Sequence, residues 1–340
     1  MITLYEFPSN LSDQTPISPY TALIRTALNY RRIPFQSEFI SPRHLRTFAR
    51  YLGAEPTEIC PDGEKKWTVP IIVDDAFLRR PSVAVSLHEQ DARPSGKVDD
   101  VQAEAEKVAP TGLGGLEEGP SGEVSPFLAI SDSLAILRHI EREYPDPERP
   151  IFPLPSSAAS TPTAATFSSS IIAVETPEFF DALCRLCEVF VDPLAPSFAP
   201  VEDEEFWVNS LATRRAAGRS DDDDAESCTD TAGQDTATQT IPKLGSSEFE
   251  SAVQEARKAL QPTISLLLHS SPSQDGPWLT GPTPTYPDFI LIAWLRTIEI
   301  CAPVLYKRLV EGDGKALGVI LERGRMWARF ERTKEEWEMS

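Results

Sequence analysis

Three short stretches carry residue types that can do chemistry together. In Ser18-Pro19-Tyr20-Thr21 a hydroxyl stands at the start of a predicted helix, because Pro19 suits the first helical position and Ser18 the N-cap before it. In Trp67-Thr68-Val69-Pro70-Ile71-Ile72-Val73 a proline interrupts a β-branched run where a strand should begin, since proline has no amide hydrogen to give a sheet. A cis Val69-Pro70 bond there leaves the Val69 N–H and C=O for an extended peptide to pair with. Ser131-Asp132-Ser133 opens a further helix. A helix N-terminus favours an anion, so Ser133 can hold a carboxylate through its hydroxyl and N–H, with Asp132 facing an ammonium. Each stretch also has a plain structural reading: Ser18 as a cap and nothing more, Ser-Asp-Ser as an ordinary capping sequence.

The elements that must position these residues follow from periodicity. Ile2 to Phe7 reads as a strand, Pro19 to Tyr30 as a helix, Pro34 to Ile40 as a second strand, and Phe127 to Ile130 as a fourth, the third beginning after Pro70. In the first helix Leu23, Ile24, Ala27 and Leu28 form the buried face, and Arg25, Arg31 and Arg32 are expected to point outward. Pro42 to Leu52 can form a helix, and Gly53 to Trp67 reads as an irregular connection. Lys65 and Lys66 within it are either cations for a ligand carboxylate or solvated surface charges. Ser131 is expected to cap the helix carrying Leu134, Ile136, Leu137 and Ile140, which ends at Tyr144-Pro145.

This order is that of a thioredoxin-like domain, and here the chain resembles the glutathione transferases. The residues that carry the resemblance are Ser18-Pro19-Tyr20-Thr21, Thr68-Val69-Pro70 and Ile130-Ser131-Asp132-Ser133-Leu134-Ala135-Ile136. The pattern is most similar to fungal β-etherase-like enzymes, with Ala27 to Tyr30 following the Ser-Pro start. The resemblance covers residues 1–150 with two interruptions and is fainter beyond. It implies a thioredoxin-like glutathione-binding domain over 1–150, a linker over 151–167 and an all-helical domain over 168–340. It implies Ser18 as the group that activates the glutathione thiol, in the place where glutaredoxin-like relatives carry Cys-Pro-Tyr-Cys. Val69, Pro70, Asp132 and Ser133 are the implied glutathione-binding residues. Tyr20, Phe179 and Phe180 are the expected wall of a pocket for an apolar electrophile.

Composition sets the bounds. With 340 residues, 41% of them hydrophobic, the chain has room for two domains with substantial cores. The formal charge of −20 argues against nucleic acid or an anionic membrane as partner. Residues 91–125 and 219–247 carry much of that acidity, and together with their glycine, threonine and serine content this marks 76–125 and 216–247 as expected disordered insertions. A gene-prediction artefact such as an unspliced intron is the alternative origin of the first. The chain opens directly into a strand with no signal core, and its longest apolar run is Phe289 to Leu295, so a cytoplasmic protein is expected. Cys60, Cys184, Cys187, Cys228 and Cys301 read as reduced thiols.

In the second half, 176–191 presents Phe179, Phe180, Leu183, Leu186, Cys187 and Phe190 on one face; 206–215 and 246–269 are further helices. Thr285-Tyr286-Pro287-Asp288 is a capping pattern ahead of Phe289 to Ile300, which is apolar almost all round and so predicted to be the buried central helix. A terminal helix with Trp327, Phe330 and Trp337 is expected to close the chain.

Other chemistries find less support. There is no Gly-x-Ser-x-Gly elbow for a serine hydrolase, and His44, His88, His139 and His269 are too dispersed for a zinc pair, so no metal is expected. Cys184-x-x-Cys187 lies among Leu and Phe and reads as core packing. The resemblance thus implies a transferase that adds the glutathione thiol to an apolar electrophile, with conjugation, β-etherase-type cleavage and a secondary-metabolite step all open. The rival reading is a glutathione-binding, hydrophobic-ligand-binding or interaction protein on the same fold, without turnover. A homodimer is the further partner the family implies.

Overall fold

The computed structural model describes residues 1–11, 15, 17–60, 63–78, 126–152, 174, 176–186, 191, 194–217, 243–269 and 278–329. Its first half is a mixed four-stranded sheet flanked by helices, and the remainder is mostly helical, as expected. The sheet contains β1 (Ile2–Glu6), β2 (Phe35–Phe39), β5 (Ile71–Leu78) and β6 (Phe127–Ser131), in the order β2-β1-β5-β6. β1 and β2 are parallel and joined through helix α1 (Pro19–Tyr30), the long crossover that parallel neighbours require. β5 is antiparallel to both β1 and β6.

Alternation along the strands feeds two cores. Ile2, Leu4 and Ile72 point to the face covered by α1 and by α3 (Ser133–Glu143). Ile71 and Val73 point to the other face, covered by α2 (Leu45–Leu52) through Leu45, Ala49 and Leu52. α2 stops at Gly53, whose φ of 70° supplies the left-handed turn that ends a helix.

α1 differs from the one-sided helix that the sequence suggests. Every residue from Thr21 to Tyr30 is buried, because the helix lies between the sheet and the long helices of the second half. Arg25 and Arg31 are therefore inside, each 4% exposed, rather than pointing outward. Arg25 Nε donates to Glu6 Oε2 at 3.0 Å, and its Nη2 also reaches Glu6. Arg31 donates from Nη1 to Glu141 and to the Arg149 carbonyl, at 2.6 and 2.9 Å, and from Nη2 to the Tyr144 carbonyl. Arg32 alone of the three is exposed.

The helices that follow are α4 (Pro177–Leu186), the short α5 (Ala195–Phe198), α6 (Val201–Ala217), α7 (Ser247–His269), α8 (Tyr286–Cys301), α9 (Pro303–Leu309) and α10 (Lys315–Gly324). Phe249, Val253, Ala256, Leu260 and Ile264 form the buried stripe of α7. α8 is the buried central helix: Phe289, Leu291, Ile292, Ala293 and Leu295 are all fully buried, and it packs on α1, α9 and α10. Its N-cap is Thr285, whose N–H donates to Asp288 Oδ2 at 2.9 Å. Asp288 also accepts the Leu279 N–H at 2.7 Å, so one carboxylate ties the helix start to the preceding loop.

Three expectations change. The connection from Gly53 to Trp67 contains a small hairpin, β3 (Glu58–Ile59) with β4 (Lys65–Lys66). The last described helix is α10, and Trp327 lies in the turn after it, its ring tilted against Trp278 and edge-on to Tyr30. Asp132, not Ser131, caps α3; Ser131 ends β6 and donates its hydroxyl to the Glu55 carbonyl. Most of the two acidic segments, the 151–167 linker beyond Phe152, Cys187, Phe190, Phe330 and Trp337 lie outside the described residues. Among the described residues no helix is long and apolar enough to cross a membrane.

Candidate functional site

Strand direction decides where the chemistry-bearing residues gather. Tyr5 lies opposite Ile71, and Ile71 lies opposite Ser131. The end of β1, the start of β5 and the end of β6 therefore share one rim of the sheet. Glu6 pairs with Phe39, which brings the end of β2 to the same rim. Ser18 follows β1, Val69-Pro70 precedes β5, and Asp132-Ser133 follows β6, so connectivity sets these groups along a common edge.

Ser18 has extended backbone and caps α1, accepting the Thr21 N–H at 3.4 Å. This long bond uses a lone pair of the hydroxyl and leaves its hydrogen available to donate. Beneath it, the Thr21 hydroxyl is buried without a hydrogen-bond partner among the described residues. The Val69-Pro70 bond is cis. The Val69 side chain is buried in the core under α2, and among the described residues its N–H and C=O meet no backbone partner.

Asp132 adopts a φ of 75°, a left-handed conformation that is costly for a residue with a side chain. The turn lets Asp132 Oδ1 accept the Ala135 N–H at 2.8 Å and leaves the residue exposed, its second carboxylate oxygen without a hydrogen-bond partner among the described residues. Ser133 is the first residue of α3 and half-buried. Its N–H is one of those at a helix start that have no partner within the helix.

The expected electrophile wall is only partly assembled. Tyr20 is 41% exposed and makes an edge contact with Trp294, with ring centroids 5.9 Å apart. Phe180 is half-buried and packs edge-on against Phe179. Phe179 itself is fully buried in the core and presents no surface to a ligand. A different aromatic group stands beside the rim. Phe7, just past the end of β1, packs edge-on against Trp207 of α6 at 5.7 Å, and Trp207 against Phe206 at 5.9 Å. The loop is held there by Asn10, whose N–H donates to the Phe198 carbonyl at 2.6 Å and whose side chain donates to the Ala199 carbonyl. Sequence reasoning missed this group because the contact joins residues some 200 positions apart, and the only local signal was the Phe206-Trp207 pair after an acidic first turn.

Among the described residues no cluster of His, Cys, Asp and Glu is arranged to hold a metal. Cys60, Cys184 and Cys301 form no disulfide among the described residues, and burial pushes the Cys301 thiol up to about 12. That thiol is inert at neutral pH.

No protein-family model matches the chain, and no curated protein matches it by sequence. Solved structures do. The chain superposes on a glutathione S-transferase of Ceriporiopsis subvermispora, solved in complex with glutathione, with a TM-score of 0.63 and 20% identity, over 98% of this chain and 99% of that one. It has the glutathione transferase fold. Glutathione transferases GSTFuA2 and GSTFuA3 of Phanerochaete chrysosporium give TM-scores of 0.63 and 0.61 at 18% and 16% identity. The matches cover 97% of this chain and 99% of GSTFuA2, and 98% of both chains for GSTFuA3. The likeness thus extends over both halves of the fold, the helical half included.

Proposed function

We propose that the protein is a glutathione transferase in which Ser18 stabilises the glutathione thiolate for attack on an apolar electrophile. The observation that carries this reading is the shared rim. A capping hydroxyl, an unpaired backbone edge and a helix N-terminus beside a carboxylate meet there, as an anionic tripeptide requires. Two of the similar solved structures hold glutathione, which favours the same ligand here.

The residues divide the work. Val69 pairs its N–H and C=O with the tripeptide backbone, fixing its direction along the rim. Ser133 donates its N–H and hydroxyl to the γ-glutamyl carboxylate, and the second carboxylate oxygen of Asp132 faces the ammonium. Ser18 donates its hydroxyl hydrogen to the sulfur. A free thiol has a pKa of about 8.5, and lowering it by two units needs about 2.7 kcal/mol in favour of the thiolate. A charge-assisted hydrogen bond supplies about 1.5–3 kcal/mol and a helix N-terminus about 0.3–1 kcal/mol, so Ser18 at the start of α1 is sufficient. The thiolate supplies the nucleophile. Phe7, Phe206 and Trp207 replace Phe179 as the apolar wall for the electrophile, with Tyr20 at the start of α1. The reading places the protein in the cytosol, where its thiols stay reduced.

The test is ultraviolet difference absorbance of bound glutathione against pH, on the intact protein and on Ser18→Ala. A thiolate that titrates about two units below free glutathione, and returns upward in the variant, is the expected result. Binding without a shift would leave a glutathione-holding protein, and no binding would remove the assignment.

A further inference from the structure

A groove of about 580 Å³ lies between α2 and the β3–β4 hairpin. Two periodicities build its walls. Arg46 and Arg50 are four residues apart on α2 and so share one helix face. Lys65 and Trp67 are two apart along the hairpin's second arm and so share one of its sides. Both pairs line the groove, with Glu55 and Glu64 beside them. The Trp67 indole is fixed by donating its N–H to the Ala54 carbonyl at 2.9 Å.

The charges in the groove run against the rest of the molecule. The chain has a formal charge of −20, yet three cations converge here against two carboxylates. Only Arg46 is paired among the described residues, with Glu64 at 3.4 Å, and both side chains are more than half exposed. Such a pair contributes little to stability. Arg50 and Lys65 have no ion-pair partner among the described residues. Two like charges four residues apart on a helix repel, so a ligand anion that bridges them relieves a cost that the free protein bears.

We propose that this groove binds an organic phosphate, with the phosphates among Arg46, Arg50 and Lys65 and a planar ring against Trp67. A carboxylate is satisfied by one guanidinium fork. A phosphate presents more charge and three strong acceptor oxygens, which suits cations approaching from two walls. The volume exceeds what phosphates alone fill and falls in the range of small-molecule sites, which leaves room for an organic body. Arginine and tryptophan together favour a planar one.

The experiment is calorimetric titration of the full chain with ADP, with adenosine and with glutathione, repeated on the double variant Arg46→Gln/Arg50→Gln. ADP should saturate a single site and weaken as salt rises. Adenosine should show no comparable binding. The double variant should bind ADP at least about tenfold more weakly while glutathione affinity stays unchanged, because both arginines stand on α2 and neither is among the residues assigned to glutathione. Absence of saturable ADP binding, equal binding of adenosine, or full affinity in the variant would overturn the proposal. Displacement of ADP by glutathione would also overturn it, since the groove would then be part of the tripeptide site.

Discussion

His139 Nε2 lies 2.8 Å from Asp74 Oδ2, and the Tyr144 hydroxyl donates to the same carboxylate at 2.8 Å. Asp74 is fully buried and His139 is 2% exposed, so this contact bolts α3 to β5 out of reach of water. Those are the two elements that carry Ser133 and follow Pro70. Asp74→Ala strands the buried His139, at about 1–3 kcal/mol, and takes a partner from the half-buried Tyr144 hydroxyl. We expect a loss of about 2–4 kcal/mol in urea unfolding. In a double-mutant cycle with His139→Leu, the two losses should fall short of additivity by at least about 0.5 kcal/mol. Additive losses would mean that the contact couples nothing.

The buried Arg25 offers a second test. Its partner Glu6 is completely buried and receives donors from Arg25 Nε and Nη2. Arg25→Met removes the cation and leaves the carboxylate alone in the core, a loss of about 3–5 kcal/mol. Replacing the pair together, Glu6→Leu with Arg25→Met, should recover most of the loss in thermal unfolding. If the single variant were as stable as the parent, the pair would be held open to water in solution.

Arg25 also marks where sequence reasoning stops. Local grammar was readable: Pro19 and Ser18 set the start of α1, Thr285 and Asp288 the start of α8, and Pro70 the start of β5. Each depends on neighbours within a few residues. Arg25 looked like a surface residue because Glu6 lies 19 positions away on a strand that only folding brings near. The same blindness affected Phe179, since an apolar helix face does not say which side chains meet the core and which meet a ligand. The β3–β4 hairpin escaped because its two-residue arms are exposed and carry no alternating pattern.

Asp288 gives the fold a pH dependence. Its burial pushes the carboxyl up to about 7, against the lowering effect of the Thr285 and Leu279 N–H donors and the Thr280 hydroxyl. In the unfolded chain an aspartate titrates near 3.9. Because the folded value is the higher, the native state holds a proton that the unfolded state has lost between about pH 4 and pH 7. Stability from this group is complete below pH 4 and lost as pH rises through 7. Asp288→Asn should flatten that portion of the stability curve, read as urea midpoints from pH 4 to 8. An identical slope in the variant would assign the effect elsewhere.

Gly324 lies against the central helix. A Cβ built there would meet Ile292 Cγ1 at 2.8 Å and crowd Cδ1 more closely still. Gly324→Ala should therefore cost about 1–3 kcal/mol by overpacking, although alanine is the better helix former. Adding Ile292→Val removes the Cδ1 methyl and should restore part of the loss. A Gly324→Ala variant as stable as the parent would show that α8 and α10 can part without cost.

Ser18 caps α1 and, on the proposed reading, also activates the thiol, and one substitution confuses the two. Loss of an N-cap to alanine costs about 0.5–2 kcal/mol, so reduced activity in Ser18→Ala alone mixes a weakened α1 with a missing thiol donor. Glycine preserves most of the capping stability, falling short by only a few tenths of a kcal/mol, and has no hydroxyl. Ser18→Gly should therefore keep a near-parental urea midpoint while the bound thiol returns toward the free pKa, a change of about 1.5–3 kcal/mol in thiolate preference if the hydroxyl is the donor. A variant that loses stability but keeps a depressed thiol pKa would make Ser18 a cap alone and move the activation to the α1 N-terminus. Thiol titration and unfolding of Ser18→Gly, measured on the same preparation, separate the two.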